Sequence, residues 1–189
     1  GYTDVIALNK LGYKAVAPLG TSISLEQIAL TWNYINDPIL FLDGDNAGLK
    51  ASERVLDLVL PELGPGKSLN FIFIDSKEDP DDIINGVDGE ENIKNILSKR
   101  ITLFDSLIFL ENNNNLESPE RILDYKKRIL NKINLISDLE TKNLYQLFAK
   151  KNFDSLIKDK FNYKPSYSNN FEKDKYFFQT TENRDTDYF

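Results

Sequence analysis

The 189-residue sequence contains no cysteine and no histidine. Without cysteine the chain can form no disulfide bond and offers no thiolate to zinc. The lack of histidine excludes serine–histidine hydrolysis, imidazole metal ligands and the usual proton shuttle near neutral pH. Metal chemistry in this chain must therefore rely on carboxylates, and oxygen ligands suit Mg²⁺, Mn²⁺ or Ca²⁺.

Long hydrophobic runs and positive charge are also scarce. No apolar run approaches the ~20 residues of a membrane-spanning helix, and the first residues do not resemble a signal peptide. We therefore expect a cytoplasmic protein without a membrane partner. The chain carries 23 Lys and Arg against 30 Asp and Glu, a net charge of −7. An autonomous nucleic-acid binder usually has a basic surface, so the charge argues against nucleic-acid binding by this chain alone.

The first hundred residues alternate between strand and helix patterns. Residues 38–43 (PILFLD) and 69–75 (LNFIFID) are continuous apolar runs, which are typical of strands covered on both faces. This alternation predicts an α/β fold in which a parallel sheet is flanked by helices. The other predicted elements are helices at 4–11, 25–34 and 46–60, one or two helices within 79–100, and a short strand from Lys14 to Ala17. Ser24 with Gln27 forms a capping-box pattern at the start of the second of these helices.

Helical patterns alone follow residue 100. Ser118 and Pro119 are typical of an N-cap and a first helical residue, and Ser137 with Glu140 forms a capping-box pattern. From Lys164 onward the sequence is polar and without a sustained period, as in a disordered linker. We therefore predict an α/β domain at 1–100, a helical subdomain at 101–163 and a flexible tail at 164–189.

Two aspartates stand where the first apolar run ends, at Asp43 and Asp45. An Asp-x-Asp pair on extended backbone places both side chains on one side, and Gly44 between them lets a phosphate approach closely. Neighbouring carboxylates repel, and a divalent cation reverses that cost. The alternative is that the two aspartates are solvated and cap the helix that follows.

A second acidic group, Asp79-Pro80-Asp81-Asp82, follows the next predicted strand. Ordinary capping of a helix N-terminus also explains it, because aspartate and proline both favour that position. Parallel neighbouring strands would, however, bring both acidic groups to one edge of the sheet. Asp4 near the start is a third candidate, and an exposed first-turn aspartate is the simpler interpretation of it.

Four short segments follow one another along the chain: "GYTDV" (1–5), "APLGT" (17–21), "DGDNAG" (43–48) and "DPD" (79–81). Together they resemble the TOPRIM domain of bacterial DnaG-type primases. The resemblance covers roughly residues 1–100, and the helical part is similar to the bundle that follows in that family.

The resemblance implies a fold, an activity and a set of site residues. Catalytic roles are implied for Asp43, Asp45 and Asp4, with Mg²⁺ or Mn²⁺ held by Asp43, Asp45, Asp79 and Asp81. The reaction implied is synthesis of short RNA primers on a single-stranded DNA template from ribonucleoside triphosphates during replication. A replicative helicase is an expected partner, reached through a carboxyl-terminal domain absent from this chain.

The chain also departs from the family pattern. The family has a glutamate immediately before the position of Gly1, an amino-terminal zinc-binding domain, and a basic subdomain that grips the template. None of these is in the sequence, so zinc is expected only in the absent domain. We expect the chain to be a carboxyl-side fragment of a primase that is inactive on its own.

Three other interpretations fit part of the pattern. A haloacid-dehalogenase-type phosphatase also places Asp-x-Asp after an apolar strand, but it has threonine or valine where Ala47 stands. The TOPRIM domain of a topoisomerase or a recombination protein is a nearer rival. A metal-binding or assembly module that has lost catalysis is the non-enzymatic alternative.

Overall fold

The computed structural model describes residues 1–18, 20, 22–74, 79–112 and 116–161, and the structural statements below concern these residues. The elements, in chain order, are α1 (Tyr2–Lys10), α2 (Leu25–Trp32), β1 (Ile39–Asp43), α3 (Asn46–Val59) with a 3-10 turn (Leu60–Glu62), β2 (Asn70–Ile74), α4 (Pro80–Asn85), α5 (Gly89–Ser98), β3 (Ile101–Thr102), α6 (Leu103–Leu110), α7 (Pro119–Asn134) and α8 (Leu139–Phe161).

The sheet has the order β1-β2-β3. Strands β1 and β2 are parallel, with Ile39 opposite Asn70 and Asp43 opposite Ile74. This confirms the predicted parallel pair and the α/β class. The antiparallel strand β3 pairs with β2 at Phe71 and was not predicted. At two residues, β3 is too short to show a period in the sequence.

Helices cover both faces of β2, which explains its continuous apolar run. Ile72 and Ile74 are buried in a cluster with Ile83 of α4 and Ile93 of α5. On the other face, the ring of Phe73 lies 5.2 Å from that of Phe109 of α6. A strand enclosed in this way has no solvent-facing side chains to break the hydrophobic pattern.

Local end signals in the sequence mostly gave the correct helix boundaries. The predicted capping box of α2 is present: the backbone N–H of Gln27 donates to Ser24 Oγ at 3.3 Å and that of Ser24 to Gln27 Oε1 at 3.0 Å. Ser118 caps α7, with Pro119 at its start. Gly12 follows α1 with φ of 86°, a left-handed conformation that favours glycine.

Two local predictions were wrong. The strand predicted from Lys14 to Ala17 does not form, and Val16 there is 81% exposed. A strand needs a neighbour for its backbone hydrogen bonds, and no described strand lies beside this segment. At α8 the cap is Asp138 and not Ser137, because Asp138 Oδ1 accepts the backbone N–H of Thr141 at 2.8 Å. This hydrogen bonding lowers the pKa of Asp138.

Helices α6 and α7 contact the α/β part. Helix α6 contacts β2 and α3, and Lys132 of α7 forms an ion pair with Asp57 of α3. The described residues up to 151 form one compact unit, and residues 152–161 belong to a second. The predicted boundary near residue 100 stays a prediction, and the predicted tail lies outside the described residues.

Within the described part of the chain, no helix combines the length and apolar character needed to cross a membrane.

The helical region contains two tyrosines with raised pKa values. Burial raises the pKa of Tyr125 to about 12, and the nearby negative charge of Glu111 acts in the same direction. Burial also raises the pKa of Tyr145 to about 12, with a further contribution from Asp105. The folded state therefore keeps the phenol protons that the unfolded state loses near pH 10.

We expect the contribution of these two tyrosines to the free energy of unfolding to be fully present below pH 10. It should be lost as the pH rises from 10 to 12. Chemical denaturation at stepped pH, followed by circular dichroism, measures this loss. The Tyr145→Phe variant should show a weaker pH dependence, with the Tyr125 contribution retained. Ionisation of both phenols near pH 10 in the folded protein, seen in near-ultraviolet absorbance, would contradict the expectation.

Candidate functional site

Asp43 is the last residue of β1, and its side chain is exposed. The strand pairing continues one residue further, because the backbone N–H of Gly44 donates to the carbonyl oxygen of Ile74 at 2.7 Å. The carboxyl ends of β1 and β2 are thus joined by hydrogen bonds at the sheet edge where the sequence predicted a site.

Asp45 caps helix α3. Its Oδ1 accepts the backbone N–H of Gly48 at 2.7 Å. Gly48 is buried against the end of β1, and a Cβ added there would collide with the carbonyl oxygen of Asp43 and lie 2.9 Å from its carbonyl carbon. Only glycine permits this approach, so the strand and helix meet closely enough to hold Asp43 and Asp45 on the same turn.

Asp79 caps helix α4 in the same way, and its Oδ1 accepts the backbone N–H of Asp82 at 2.9 Å. Pro80 is the first helical residue, as the sequence predicted. Asp79 is exposed and Asp81, in the first turn, is half-buried. Residues 75–78, which connect β2 to this group, lie outside the described residues.

Asp4 contacts the second acidic group directly. Its Oδ1 accepts the backbone N–H of Asp81 at 3.2 Å. On the other side of Asp81, the Nδ2 of Asn85 donates to Asp81 Oδ1 at 2.8 Å and to the Asp81 carbonyl oxygen at 2.9 Å. Asp81 is therefore held through both its backbone and its side chain.

The structure brings together Asp43 with Asp45, and Asp4 with Asp81. It does not gather three acidic side chains into one metal-binding group anywhere in the described residues. The capping roles expected as the alternative are present at Asp45 and Asp79. Each cap bond uses one carboxylate oxygen, so capping does not exclude metal binding, and the ligand set Asp43, Asp45, Asp79 and Asp81 stays a prediction.

The donor chemistry of these aspartates fits a hard divalent cation. The side chains of Asp43, Asp45 and Asp79 are exposed, and every candidate ligand atom is a carboxylate oxygen. Mg²⁺ keeps several waters and is commonly bound by one or two carboxylates together with substrate phosphates. Pairs of aspartates at a helix start therefore suit the ion without a closed cage of protein ligands.

Sequence reasoning missed the contribution of Asn85 and the contact between Asp4 and Asp81. The first had a detectable signal, because Asn85 stands four residues after Asp81 in a helix, a spacing that places side chains side by side. The second joins residues 77 positions apart and had no local signal.

Comparison with known proteins shows what this chain is similar to. A Toprim domain model matches residues 1–70. The DNA primase of Rickettsia typhi is 38% identical over 152 residues, which is 79% of this chain and 26% of that protein. The chain therefore spans about a quarter of the length of this relative.

Solved structures give the same result for the fold. A DNA primase domain from Pseudomonas aeruginosa matches with a TM-score of 0.72 at 27% identity, over 86% of this chain and 52% of that chain. The DnaG primase catalytic domain bound to single-stranded DNA matches with a TM-score of 0.71 at 27% identity, over 82% of this chain and 49% of that chain. These similarities confirm the predicted resemblance and disfavour the phosphatase and topoisomerase interpretations.

Proposed function

Because this chain contains a Toprim domain and is homologous to a segment of bacterial DNA primases, we propose that it supplies the metal-dependent nucleotidyl-transfer centre of a primase. The proposed activity is synthesis of short RNA primers on single-stranded DNA. The observation that carries the proposal is the strand-end pair Asp43 and Asp45, fixed beside Gly48 within the Toprim match.

In this proposal Mg²⁺ or Mn²⁺ is held by Asp43, Asp45, Asp79 and Asp81. When bound, the ion neutralises phosphate charge and makes a primer hydroxyl easier to deprotonate. The chain itself keeps the carboxylates at one sheet edge and provides a glycine-lined approach for phosphate oxygens at Gly44. With no histidine in the sequence, no side chain here is an ordinary general base near neutral pH.

The proposed partners are single-stranded DNA, ribonucleoside triphosphates and a replicative helicase. The similar DnaG catalytic domain that was solved with single-stranded DNA supports the first of these. The net charge of −7 makes this chain a poor binder of DNA phosphates by itself. We therefore propose that contacts to the template come mainly from other parts of the complete protein.

Template-dependent incorporation of labelled ribonucleotides tests the proposed function. The complete gene product should make short RNA on single-stranded DNA in the presence of Mg²⁺ or Mn²⁺, and chelation of the metal should stop it. Residues 1–189 alone should bind Mn²⁺ weakly and bind DNA poorly, and they should make no RNA.

A chelator can also remove the zinc expected in the amino-terminal domain of the complete protein. The matched control is therefore the complete gene product with its zinc retained and with Mg²⁺ and Mn²⁺ left out. Ribonucleotide incorporation that persists without Mg²⁺ or Mn²⁺ would contradict the metal-dependent centre. Tight binding of single-stranded DNA by residues 1–189, together with RNA synthesis, would contradict the proposed division between this segment and the rest of the protein.

A further inference from the structure

Asp4 makes a contact that its position in the sequence does not suggest. It lies in the first turn of α1, and its side chain is 16% exposed. Its Oδ1 accepts the backbone N–H of Asp81 at 3.2 Å. This bond directs Oδ1 toward a backbone donor at the start of α4.

The contact completes the start of helix α4. The first N–H groups of any helix have no partner within it. In α4, Asp79 Oδ1 accepts the N–H of Asp82, and Asp4 Oδ1 accepts the N–H of Asp81. This six-residue helix is therefore anchored at its first turn by one local carboxylate and by one from α1.

Apolar packing beneath the contact joins the same two helices. Leu8 and Leu11, at the end of α1, pack against the cluster that contains Ile83 of α4. Apolar contacts of this kind are non-directional. They therefore hold α1 against α4 without fixing the offset of the two helices, that is, the exact position of one helix relative to the other. The hydrogen bond from Asp81 to Asp4 is directional and supplies that offset.

From these contacts we propose that Asp4 is a positioning residue and not a metal ligand. It holds the backbone of Asp81 while Asn85 orients the carboxylate of Asp81. This proposal rests on the proposed function only where it treats Asp81 as part of the metal centre. The anchoring of α4 by Asp4 is independent of that function.

Two substitutions separate a positioning role from a ligand role. Asp4→Asn keeps an oxygen that can accept the Asp81 N–H but removes the negative charge. Asp4→Ala removes the acceptor as well. Glu26→Ala is the matched control, because Glu26 is an exposed acidic residue in the first turn of α2. Asp43→Asn is the reference for loss of a ligand.

The first measurement is hydrogen exchange of the Asp81 amide by NMR, without metal. Asp4→Ala should speed this exchange by about two- to tenfold, since a hydrogen bond contributes a net of roughly 0.5–1.5 kcal/mol. Asp4→Asn and Glu26→Ala should leave it nearly unchanged. Unchanged exchange in Asp4→Ala, in a protein shown by circular dichroism to be folded, would overturn the anchoring role.

The second measurement is the affinity for Mn²⁺ alone, followed by electron paramagnetic resonance. Asp4→Asn should keep the affinity within about twofold, while Asp43→Asn should lower it clearly, because loss of a ligand charge weakens binding of a hard cation. Since Asp4→Asn is isosteric, this comparison does not depend on whether Asp4→Ala folds.

The outcomes distinguish the two hypotheses. Equal weakening of Mn²⁺ binding by Asp4→Asn and Asp43→Asn would make Asp4 a ligand and overturn the proposal. An unchanged affinity in Asp43→Asn, combined with faster Asp81 exchange in Asp4→Ala, would reject the metal centre of the proposed function and leave the anchoring of α4 by Asp4 supported.

Discussion

Replacing Asp43 by asparagine in the complete gene product should lower ribonucleotide incorporation by about 100-fold or more. A catalytic metal ion supplies several kcal/mol of charge stabilisation, and each 1.4 kcal/mol changes a rate about tenfold. Asparagine has the shape of aspartate but no charge, so the variant tests the charge directly. Incorporation of a labelled ribonucleotide on single-stranded DNA, at saturating Mg²⁺, is the measurement.

Asp43 is the best position for this test because its side chain has no capping role in the structure. Asp45 differs, since its Oδ1 caps α3. Asp45→Asn should therefore keep the helix cap and lose activity, whereas Asp45→Ala should also lose about 1 kcal/mol of stability. Thermal melts of both variants separate the two effects.

Glu53→Gln is the matched control, because Glu53 is an exposed acidic residue of α3, the helix that follows Asp43 and Asp45. It should change neither activity nor stability measurably. Incorporation by Asp43→Asn within a few-fold of the unmodified protein would refute the metal assignment at the end of β1. Chelation and Asp43→Asn should both lower ribonucleotide incorporation by removing the same ion, so the two losses should not add. Additive losses would therefore also refute the metal assignment.

The sequence was informative where the physical cause is local. The capping box at Ser24 and the N-cap at Ser118 depend on residues within one turn, and both predictions were confirmed. The cap of α8 was misplaced by one residue. Ser137 and Asp138 both have side chains that can cap a helix, and in the structure Asp138 does so.

The larger errors in the predicted strands arose where the structure depends on pairing between segments that are distant in the sequence. A strand was predicted at Lys14–Ala17, but the sequence of one segment does not show whether a neighbouring strand is available to pair with it. Strand β3 exists only because Ile101 meets Phe71 at the far side of β2. Similarly, the bond between Asp4 and Asp81 follows from packing of α1 against α4. For the same reason, the sequence could place both acidic groups at strand ends but could not say how closely they approach each other.

Replacing Gly48 by alanine should destabilise the fold by about 3 kcal/mol, at the upper end of the usual range for an overpacked site. The added methyl group would collide with the carbonyl oxygen of Asp43. That oxygen is backbone at the end of a paired strand, where Gly44 donates to Ile74, so it cannot rotate away as a side chain could. Either α3 must move outward or the end of β1 must leave its partner.

Both responses should damage the site as well as the stability. Moving α3 separates Asp45 from Asp43, and moving β1 shifts Asp43 itself. We therefore expect Gly48→Ala to lower Mn²⁺ affinity and ribonucleotide incorporation even at temperatures where the protein remains folded. Urea denaturation gives the stability change, and the two activities are compared well below the midpoint.

Gly64→Ala is the matched control, because a Cβ at Gly64 has nothing within 4 Å and its φ is not in the left-handed region. This change should be neutral or raise stability by up to about 1 kcal/mol through a less flexible unfolded chain. Equal stability of the two variants would show that the close contact between α3 and β1 is not a constraint in solution.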